Sequence, residues 1–196
     1  MEDELLKFIS QYITLTQEEI NAIADLDIFR SYSKDTILLR EGDISDEYYF
    51  VIKGCIRSYY IVDGEQKISD FYTESEYFSP PCVVNKKPSE HYVDCVEDCI
   101  LSVATPMMEK EIFTKFPRFE SLCRIISEED LAKNKITSSN FKNFTPEQRY
   151  LNLLQERPDL LQRIPQYQIA SYLGMTPESL SRIRKRISKN NECILT

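Results

Sequence analysis

The chain has 196 residues and a formal net charge of −8, with 42% hydrophobic and 29% charged residues. This balance is ordinary for a globular protein and suffices for a sizeable core in one or two domains. No apolar run approaches the ~20 residues of a membrane-spanning helix, and the acidic start Met1–Glu4 is unlike a signal or transit peptide. We therefore expect a cytoplasmic protein with no membrane partner.

The charge is unevenly distributed along the chain. Residues 1–140 contain 15 Lys and Arg against 27 Asp and Glu, a net −12, whereas residues 141–196 contain 9 against 5, a net +4. An acidic body with a basic C-terminal part directs a polyanionic partner to one end only.

Six cysteines are scattered through the chain: Cys55, Cys82, Cys95, Cys99, Cys123 and Cys193. Their spacing matches no zinc or iron–sulfur pattern, and the only histidine is His91. We therefore expect buried free thiols, with no metal and no cofactor. The chain also has no P-loop and no nucleophile–base set, which argues against an enzyme.

The first part of the chain is predicted to be helical over residues 2–28. Leu5, Ile9 and Ile13 recur at helical spacing, and Thr16 to Glu19 form a capping box that opens a second helix. From about Phe29 to Val103 the pattern changes to short aromatic and β-branched runs, which predict strands. The Asp63-Gly64 pair is typical of a type I′ hairpin turn, and the whole stretch indicates a small β-barrel or roll.

Pro106 ends the strands and is followed by a short helix over Met107–Phe116. Pro117 begins a longer helix that is predicted to run to about Asn140. Its apolar stripe suits a connector between domains or a dimer seam. The residues assigned to this dimer helix are Phe119, Leu122, Cys123, Ile126 and Leu131.

The stretch from Gln166 to Arg186 reads as two short helices joined by a tight turn. Gly174 suits the left-handed C-cap of the first helix, and Thr176 suits the N-cap of the second, with Pro177 at its first position. The second helix is polar and largely basic outside its apolar side. This is the helix-turn-helix plan, although an αα-hairpin with a basic solvated face has the same pattern.

With these elements in order, the whole chain resembles the Crp/Fnr family of bacterial transcription regulators. The resemblance rests on Arg40–Asp43 and Tyr48–Gly54 in the first strands, and on Gln168–Gly174 and Glu178–Ile183 in the helix pair. It implies an α+β fold: a double-stranded β-roll like a cyclic-nucleotide-binding domain, a long connecting helix and a C-terminal (winged) helix-turn-helix. The expected domains are a sensor-like roll with N-terminal helices (1–116), a connecting and dimerisation helix (117–140) and a DNA-binding domain (141–196).

The resemblance also implies roles for residues of the helix pair. Glu178 would accept from a cytosine amino group and Arg182 would donate two bonds to guanine, whereas Pro177 stands where some relatives have a base-reading arginine. The complete set of expected DNA contacts is Gln166, Tyr167, Thr176, Pro177, Glu178, Ser179, Ser181, Arg182, Lys185 and Arg186. The implied partners are double-stranded DNA, a second copy of the chain, RNA polymerase and an unidentified small-molecule effector.

Three departures from the family pattern limit what is carried over. The stretch corresponding to the phosphate-binding cassette, Glu76–Pro81 then Lys87–His91, lacks both the glycine and the arginine that a cyclic phosphate needs. Cyclic AMP is therefore not the expected effector, and the N-terminal cysteine cluster of oxygen-sensing members is also absent. Few residues follow Arg186, so wing contacts to DNA are expected to be reduced or missing. The residues suggested for an effector pocket are Tyr59, Tyr72, Phe78, Ser79, Glu90 and His91.

A second hypothesis remains open at this point. The chain would then be a small-molecule-binding regulatory module whose helical tail docks on a protein. The charge split favours DNA, because a protein-docking tail has no need of a +4 segment on a −12 body.

Overall fold

The computed structural model describes residues 2–194, and the side chains of residues 3–188. The chain divides into two compact units. Unit 1 comprises Met1–Ile61 and Ser69–Glu129, and unit 2 comprises Val62–Ile68 and Asp130–Thr196. The long helix expected as a separate connector is thus shared between the units, and unit 2 includes a short piece of the strand region.

Two helices precede the strands: α1 (Glu2–Ser10) and α2 (Gln17–Ala24). The predicted capping box of α2 is confirmed, because Thr16 N donates to Glu19 Oε2 at 2.8 Å and Glu19 N donates to Thr16 Oγ1 at 3.3 Å. Both helices place apolar side chains in a cluster around Ile23, Phe119 and Leu122. The N-terminal helices therefore belong to the core of unit 1.

The roll is an antiparallel structure of two four-stranded sheets in the described part of the chain. Its strands are β1 (Phe29–Tyr32), β2 (Ile37–Leu39), β3 (Tyr48–Lys53), β4 (Ile56–Val62), β5 (Glu65–Tyr72), β6 (Tyr77–Phe78), β7 (Tyr92–Cys95) and β8 (Cys99–Ala104). One sheet has the order β1-β8-β3-β6 and the other β2-β7-β4-β5. The sequence pattern predicted this strand region, and the structure confirms the roll.

The roll interior is filled by β-branched, aliphatic and aromatic side chains from both sheets. Val51, Ile56, Val93 and Leu101 are fully buried at its centre. Cys55, Cys82, Cys95 and Cys99 are buried free thiols and Cys123 is a half-buried one, as expected, while the Cys193 side chain lies outside the described residues. In this region cysteine acts as a small apolar residue.

The β4–β5 hairpin has the turn that its sequence predicts. Asp63 has φ of +54° and Gly64 has φ of +79°, so both central residues are left-handed, as a type I′ turn requires. The tip of this hairpin, Val62–Ile68, is the strand segment that belongs to unit 2.

Three helices of unit 1 follow or interrupt the roll: α3 (Pro81–Asn85), α4 (Pro106–Lys115) and the start of α5 (Arg118–Asn143). The sequence did not predict α3, because five residues are too few to show a helical period. The short helix and the long helix were predicted within one to three residues of their observed ends. Among the described residues, none of the helices combines the length and the apolarity needed to cross a membrane.

Unit 2 continues α5 and adds α6 (Pro146–Glu156), α7 (Pro158–Arg163), α8 (Gln166–Tyr172) and α9 (Pro177–Ile194). A second capping box opens α6, with Thr145 N donating to Gln148 Oε1 at 2.8 Å. The inner faces of the helices form a small core whose buried members are Tyr150, Leu153, Leu160, Ile164, Ile169, Ala170, Leu173, Leu180 and Ile183.

Candidate nucleic-acid interface

The turn between α8 and α9 is closed by a glycine in the left-handed conformation. Gly174 has φ of +64°, its N–H donates to Ser171 O at 2.9 Å, and the N–H of Met175 donates to Ala170 O at 2.9 Å. This pair of bonds is the Schellman motif. A Cβ at position 174 would lie 2.7 Å from Phe141 Cζ of α5, so the position excludes a side chain for two independent reasons.

Helix α9 begins as the sequence predicts. Thr176 Oγ1 accepts from Ser179 N at 3.2 Å, which satisfies an amide of the first turn, and Pro177 occupies the first helical position. Leu180 and Ile183 turn inward and are 1% and 8% exposed. The cap and this apolar side fix the direction in which the polar side of α9 faces solvent.

The two expected base-reading residues are exposed on α9. Glu178 and Arg182 stand one helical turn apart, and no ion pair joins them in the part of the chain that the structure describes. The Glu178 pKa is lowered by a hydrogen bond from its own backbone amide and then by the Thr176 hydroxyl, so the carboxylate is the form that the helix start favours. Both side chains therefore remain available to an outside partner.

The other expected contacts on the helix pair differ in exposure. Thr176, Pro177 and Lys185 are exposed, and Ser179 and Ser181 are half-buried. At the start of α8, Gln166 is exposed and Tyr167 is 61% exposed, with its hydroxyl accepting a 3.0 Å hydrogen bond from Gln168 Nε2. The structure thus brings the expected contact residues of both helices into one unit.

Arg186 requires a correction. It was expected among the DNA contacts, but its guanidinium is held by the carboxylate of Glu147 on α6, with Nε–Oε1 and Nη2–Oε2 distances of 3.2 and 2.6 Å. Because the paired charges cancel at long range, Arg186 ties α9 to α6 rather than enlarging the basic surface. Sequence reasoning missed this pair, since 39 residues separate its members.

A second contact that the sequence did not indicate involves Ser171 of α8. Its Oγ accepts from the N–H of Ile68 at 3.0 Å and donates to Gln66 O at 3.2 Å. Both partners lie on the hairpin tip within unit 2. The first helix of the pair is therefore hydrogen-bonded to the main chain of β5.

The region expected to carry a reduced wing is helical as far as the structure describes it. Helix α9 continues past Arg186 to Ile194, so the described residues after Arg186 extend the same helix. The interface of unit 2 is therefore presented by helices and their connecting turn within the described residues.

The proposed dimer stripe on α5 faces the interior for most of its length. Phe119 and Leu122 are buried in unit 1, and the half-buried Cys123 and Ile126 line the same interior, so these four side chains pack within their own chain. The apolar stripe is already covered by α1, α2 and α4. Leu131 alone of the five is open, with 69% of its surface exposed.

Further apolar side chains of α5 are exposed instead. Ile125, Ile136 and Phe141 are 39%, 62% and 46% exposed, and every residue from 131 to 139 is exposed. Ile125 and Ile136 lie on the same side of the helix, whereas Leu131 and Phe141 point to other sides.

The residues suggested for an effector pocket separate into two groups. Phe78 packs against Tyr72 and His91, with ring centroids 4.6 and 6.2 Å apart, and Ser79 is half-buried beside this cluster in sequence. Burial lowers the His91 pKa, so its ring stays neutral and packs as an aromatic core residue. Glu90 is exposed and does not join the cluster.

Tyr59 lies on the other face of strand β4, so it does not join the other residues that were suggested for an effector pocket. Its ring stacks on Tyr92 at 5.3 Å, whereas the neighbouring Tyr60 contacts His91 at 5.8 Å. Alternation along the strand explains the error, because a shift of one residue moves a side chain to the opposite face. On the Tyr59 face, Arg57 makes a bidentate bond to Asp94, with distances of 2.7 and 2.9 Å.

Comparisons with known proteins agree with this architecture. A sequence model of the cyclic nucleotide-binding domain matches residues 29–107, which run from β1 to the start of α4. None of the curated proteins matches the sequence.

Solved structures match the chain over most of its length. FixK2 from Bradyrhizobium japonicum is 18% identical with a TM-score of 0.68, covering 83% of this chain and 85% of its own. The c-di-GMP-responsive global regulator CLP of Xanthomonas campestris is 16% identical with a TM-score of 0.68, covering 90% and 93%. A variant of CooA from Carboxydothermus hydrogenoformans is 21% identical with a TM-score of 0.64, covering 82% and 76%.

At these identities the structural likeness establishes the fold, and the sequence model establishes the type of the roll. Residues 29–107 therefore form a domain of the cyclic nucleotide-binding type, in a chain with the fold of the Crp/Fnr-type transcription regulators.

Proposed function

We propose that this protein is a homodimeric, sequence-specific DNA-binding transcription regulator. The observation that carries the proposal is the α8–α9 pair, whose capped turn presents a polar helix with an exposed acid and an exposed guanidinium one turn apart. A helix of this kind fits the major groove with its N-terminal half. One solved structural relative, CLP, is a global regulator that acts on virulence gene expression, which supports the same role.

Base reading would be carried by Glu178 and Arg182. Arg182 donates two bonds to guanine O6 and N7, and Glu178 accepts from a cytosine amino group. Pro177 has no side-chain donor, so the base pair nearest the helix start is not read by hydrogen bonding from that position. Lys185 and Arg184, both exposed, would contact phosphates and supply affinity without sequence preference.

A dimer would place two copies of α9 on one face of the DNA. Ile125 and Ile136, which are exposed on one side of α5, are the side chains that support this part of the proposal. Two-fold symmetry then predicts a pseudo-palindromic operator whose half-sites lie about 34–36 Å apart. RNA polymerase is a further proposed partner, as for the family that the sequence resembles.

Cyclic AMP is not the proposed effector. At the cassette position, Ser89 N donates to Asp43 O at 2.7 Å and Gly42 N donates to Ser89 O at 2.8 Å, so these main-chain groups are paired within the protein. Glu90 is exposed beside them and would repel a phosphate. No arginine stands in the cassette stretch to hold one.

The test is selection of binding sites from a randomised duplex library by the full-length chain, followed by binding measurements at two salt concentrations. Arg182→Ala should cost about 1–3 kcal/mol on the selected site and remove the preference at one base pair of each half-site. Lys185→Ala should weaken all duplexes alike and flatten the salt dependence. Lys53→Ala, an exposed lysine on β3, is the charge-matched control and should leave both properties unchanged.

Failure to select any sequence would overturn the proposal. A wild-type protein that binds no duplex even at low salt would favour a helical tail that docks on a protein. An Arg182→Ala protein with unaltered base preference would leave DNA binding in place but remove Arg182 from the reading set.

A further inference from the structure

Unit 1 contains an apolar cavity of about 220 Å³ on the outer side of the roll. It lies between the β3–β8 face and helices α1, α4 and α5. Alternation along β3 separates it from the roll interior. Phe50 points to the helices and contacts Phe8 at 4.8 Å, whereas Val51 belongs to the roll core. The cavity is therefore distinct from the pocket that a cyclic-nucleotide-binding domain uses inside its roll.

The walls are aromatic and aliphatic side chains from several elements. The ones most relevant to a ligand's apolar body are Phe8, Ile9, Phe50, Ile112, Phe113 and Phe119. Such a cavity resembles the concave, mostly apolar sites that hold small molecules.

Polar groups converge at one part of the wall. Glu109 of α4 is the one carboxylate among the lining residues, and no lysine or arginine is among them. Tyr48 lines the same part of the wall and interacts electrostatically with Glu109, and the Tyr48 and Tyr77 rings lie 6.1 Å apart. Cys123 of α5 completes this polar corner, which is the corner that a ligand's polar end would meet.

The corner has a defined electrostatic character. Burial raises the pKa of Glu109, because the carboxylate is only partly solvated. Burial also raises the pKa of Tyr48, and it raises the pKa of Cys123 to about 11, so these two groups stay neutral near pH 7. The only charge the corner can present is negative, and nothing basic in the lining compensates it.

We propose that this cavity binds a small molecule with an apolar body and a protonated amine, with Glu109 as the counter-ion of the amine. A cavity of ~150 Å³ holds benzene, so about 220 Å³ accommodates roughly nine non-hydrogen atoms. The rings of Tyr48 and Tyr77 add a cation–π attraction beside the carboxylate. Carboxylates and phosphates do not fit, since they would meet Glu109 without a cation to offset it.

The inference does not depend on the proposed DNA-binding role, because every lining residue belongs to unit 1 and its readout is ligand binding alone. Three probes of nearly equal size separate the alternatives: 2-phenylethylamine, the neutral 2-phenylethanol and the anionic phenylacetate. Isothermal titration of the full-length protein should give an affinity for the amine about tenfold or more above that for the alcohol. Phenylacetate should bind most weakly.

Glu109→Gln should remove the preference for the amine while leaving the alcohol affinity within about twofold. Glu111→Gln is the matched control, since Glu111 lies on the same helix but is exposed and outside the cavity lining. Cys123→Phe, which fills the polar corner, should weaken both probes by about tenfold or more.

Equal affinities of the wild-type protein for amine and alcohol would overturn the proposal, as would undetectable binding of all three probes. Retention of the amine preference by Glu109→Gln would also overturn it. The comparison of probes on the wild-type protein needs no variant and decides the question even if Glu109→Gln fails to fold.

Discussion

Replacement of Gly174 by alanine tests the geometry on which the proposed DNA-reading helix α9 depends. The backbone at this position is left-handed, with φ of +64°, and the left-handed conformation costs a residue with a Cβ about 1–2 kcal/mol. The new methyl group would also lie 2.7 Å from Phe141 Cζ. Displacing that ring adds about 1 kcal/mol, at the low end for overpacking because Phe141 is half exposed. We expect Gly174→Ala to lower the free energy of unfolding by about 2–3 kcal/mol.

Gly64→Ala is the matched control for the backbone cost. Gly64 has φ of +79° and lies in the same unit, but a Cβ there meets nothing within 4 Å. Its replacement should cost about 1–2 kcal/mol. The difference between the two variants therefore reports the contact with Phe141.

Urea unfolding followed by far-UV circular dichroism is the suitable assay, since the protein has no tryptophan. In a Phe141→Ala background, Gly174→Ala should cost about 1 kcal/mol less than in the wild type. If the two glycine variants lose equal stability, or if the Phe141→Ala background changes nothing, the steric part of the explanation is wrong. DNA affinity of Gly174→Ala should fall together with its stability, because the turn sets the position of α9.

Three further predictions concern contacts within a single unit. The buried Glu19 carboxylate accepts hydrogen bonds from Arg118, which lower the pKa of Glu19 from 4.5 to about 2. The ionised carboxylate therefore stabilises the folded state fully above pH 4.5, and this stabilisation is lost as the pH falls towards 2. After a discount for the partial exposure of Arg118, this stabilisation amounts to about 2 kcal/mol. In urea unfolding at a series of acid pH values, the free energy of unfolding of Glu19→Gln should therefore fall less steeply with decreasing pH than that of the wild type. Ser171→Ala should speed hydrogen exchange of the Ile68 amide about fivefold, and an unchanged rate would contradict the bond to the hairpin. Thr145→Ala should cost about 1 kcal/mol in urea unfolding through loss of the α6 cap, and an unaltered midpoint would show that the cap is dispensable.

Local signals in the sequence predicted much of the fold. The capping box at Thr16, the Asp63-Gly64 turn and the Gly174 cap each depend on residues within a few positions of one another, and the structure contains them all. Each is a short-range geometric requirement that few residue types satisfy. The strand region was found for the same reason, because its turns and apolar runs are local features.

The sequence failed where the structure depends on residues far apart in the chain. The apolar stripe of α5 was visible, but periodicity does not say whether Phe119 and Leu122 are covered by the same chain or by a partner. The Arg186–Glu147 ion pair joins residues 39 positions apart, and neither of the two sequence segments indicates that it forms. Tyr59 was grouped with the wrong neighbours, because only the pairing of a strand determines which face of the sheet each of its side chains points to.

Glu178 and Arg182 are exposed one turn apart on α9, an arrangement that depends on helical spacing and on the turn geometry, which are both local. Their use in reading DNA remains a prediction, and the binding-site selection described above decides it. The cavity beside Glu109 could not be anticipated, because its walls come from seven separate helices and strands of unit 1.

The hairpin tip has a practical consequence for dissecting this protein. Residues 62–68 are contributed to unit 2 from the middle of the roll, and Ile68 and Gln66 bond to Ser171 of α8. A fragment that begins at residue 130 would therefore lack part of its own unit and expose the α8 surface that the tip covers. The helix pair is a discontinuous module, so grafting it onto another regulator requires transplanting the seven-residue tip as well.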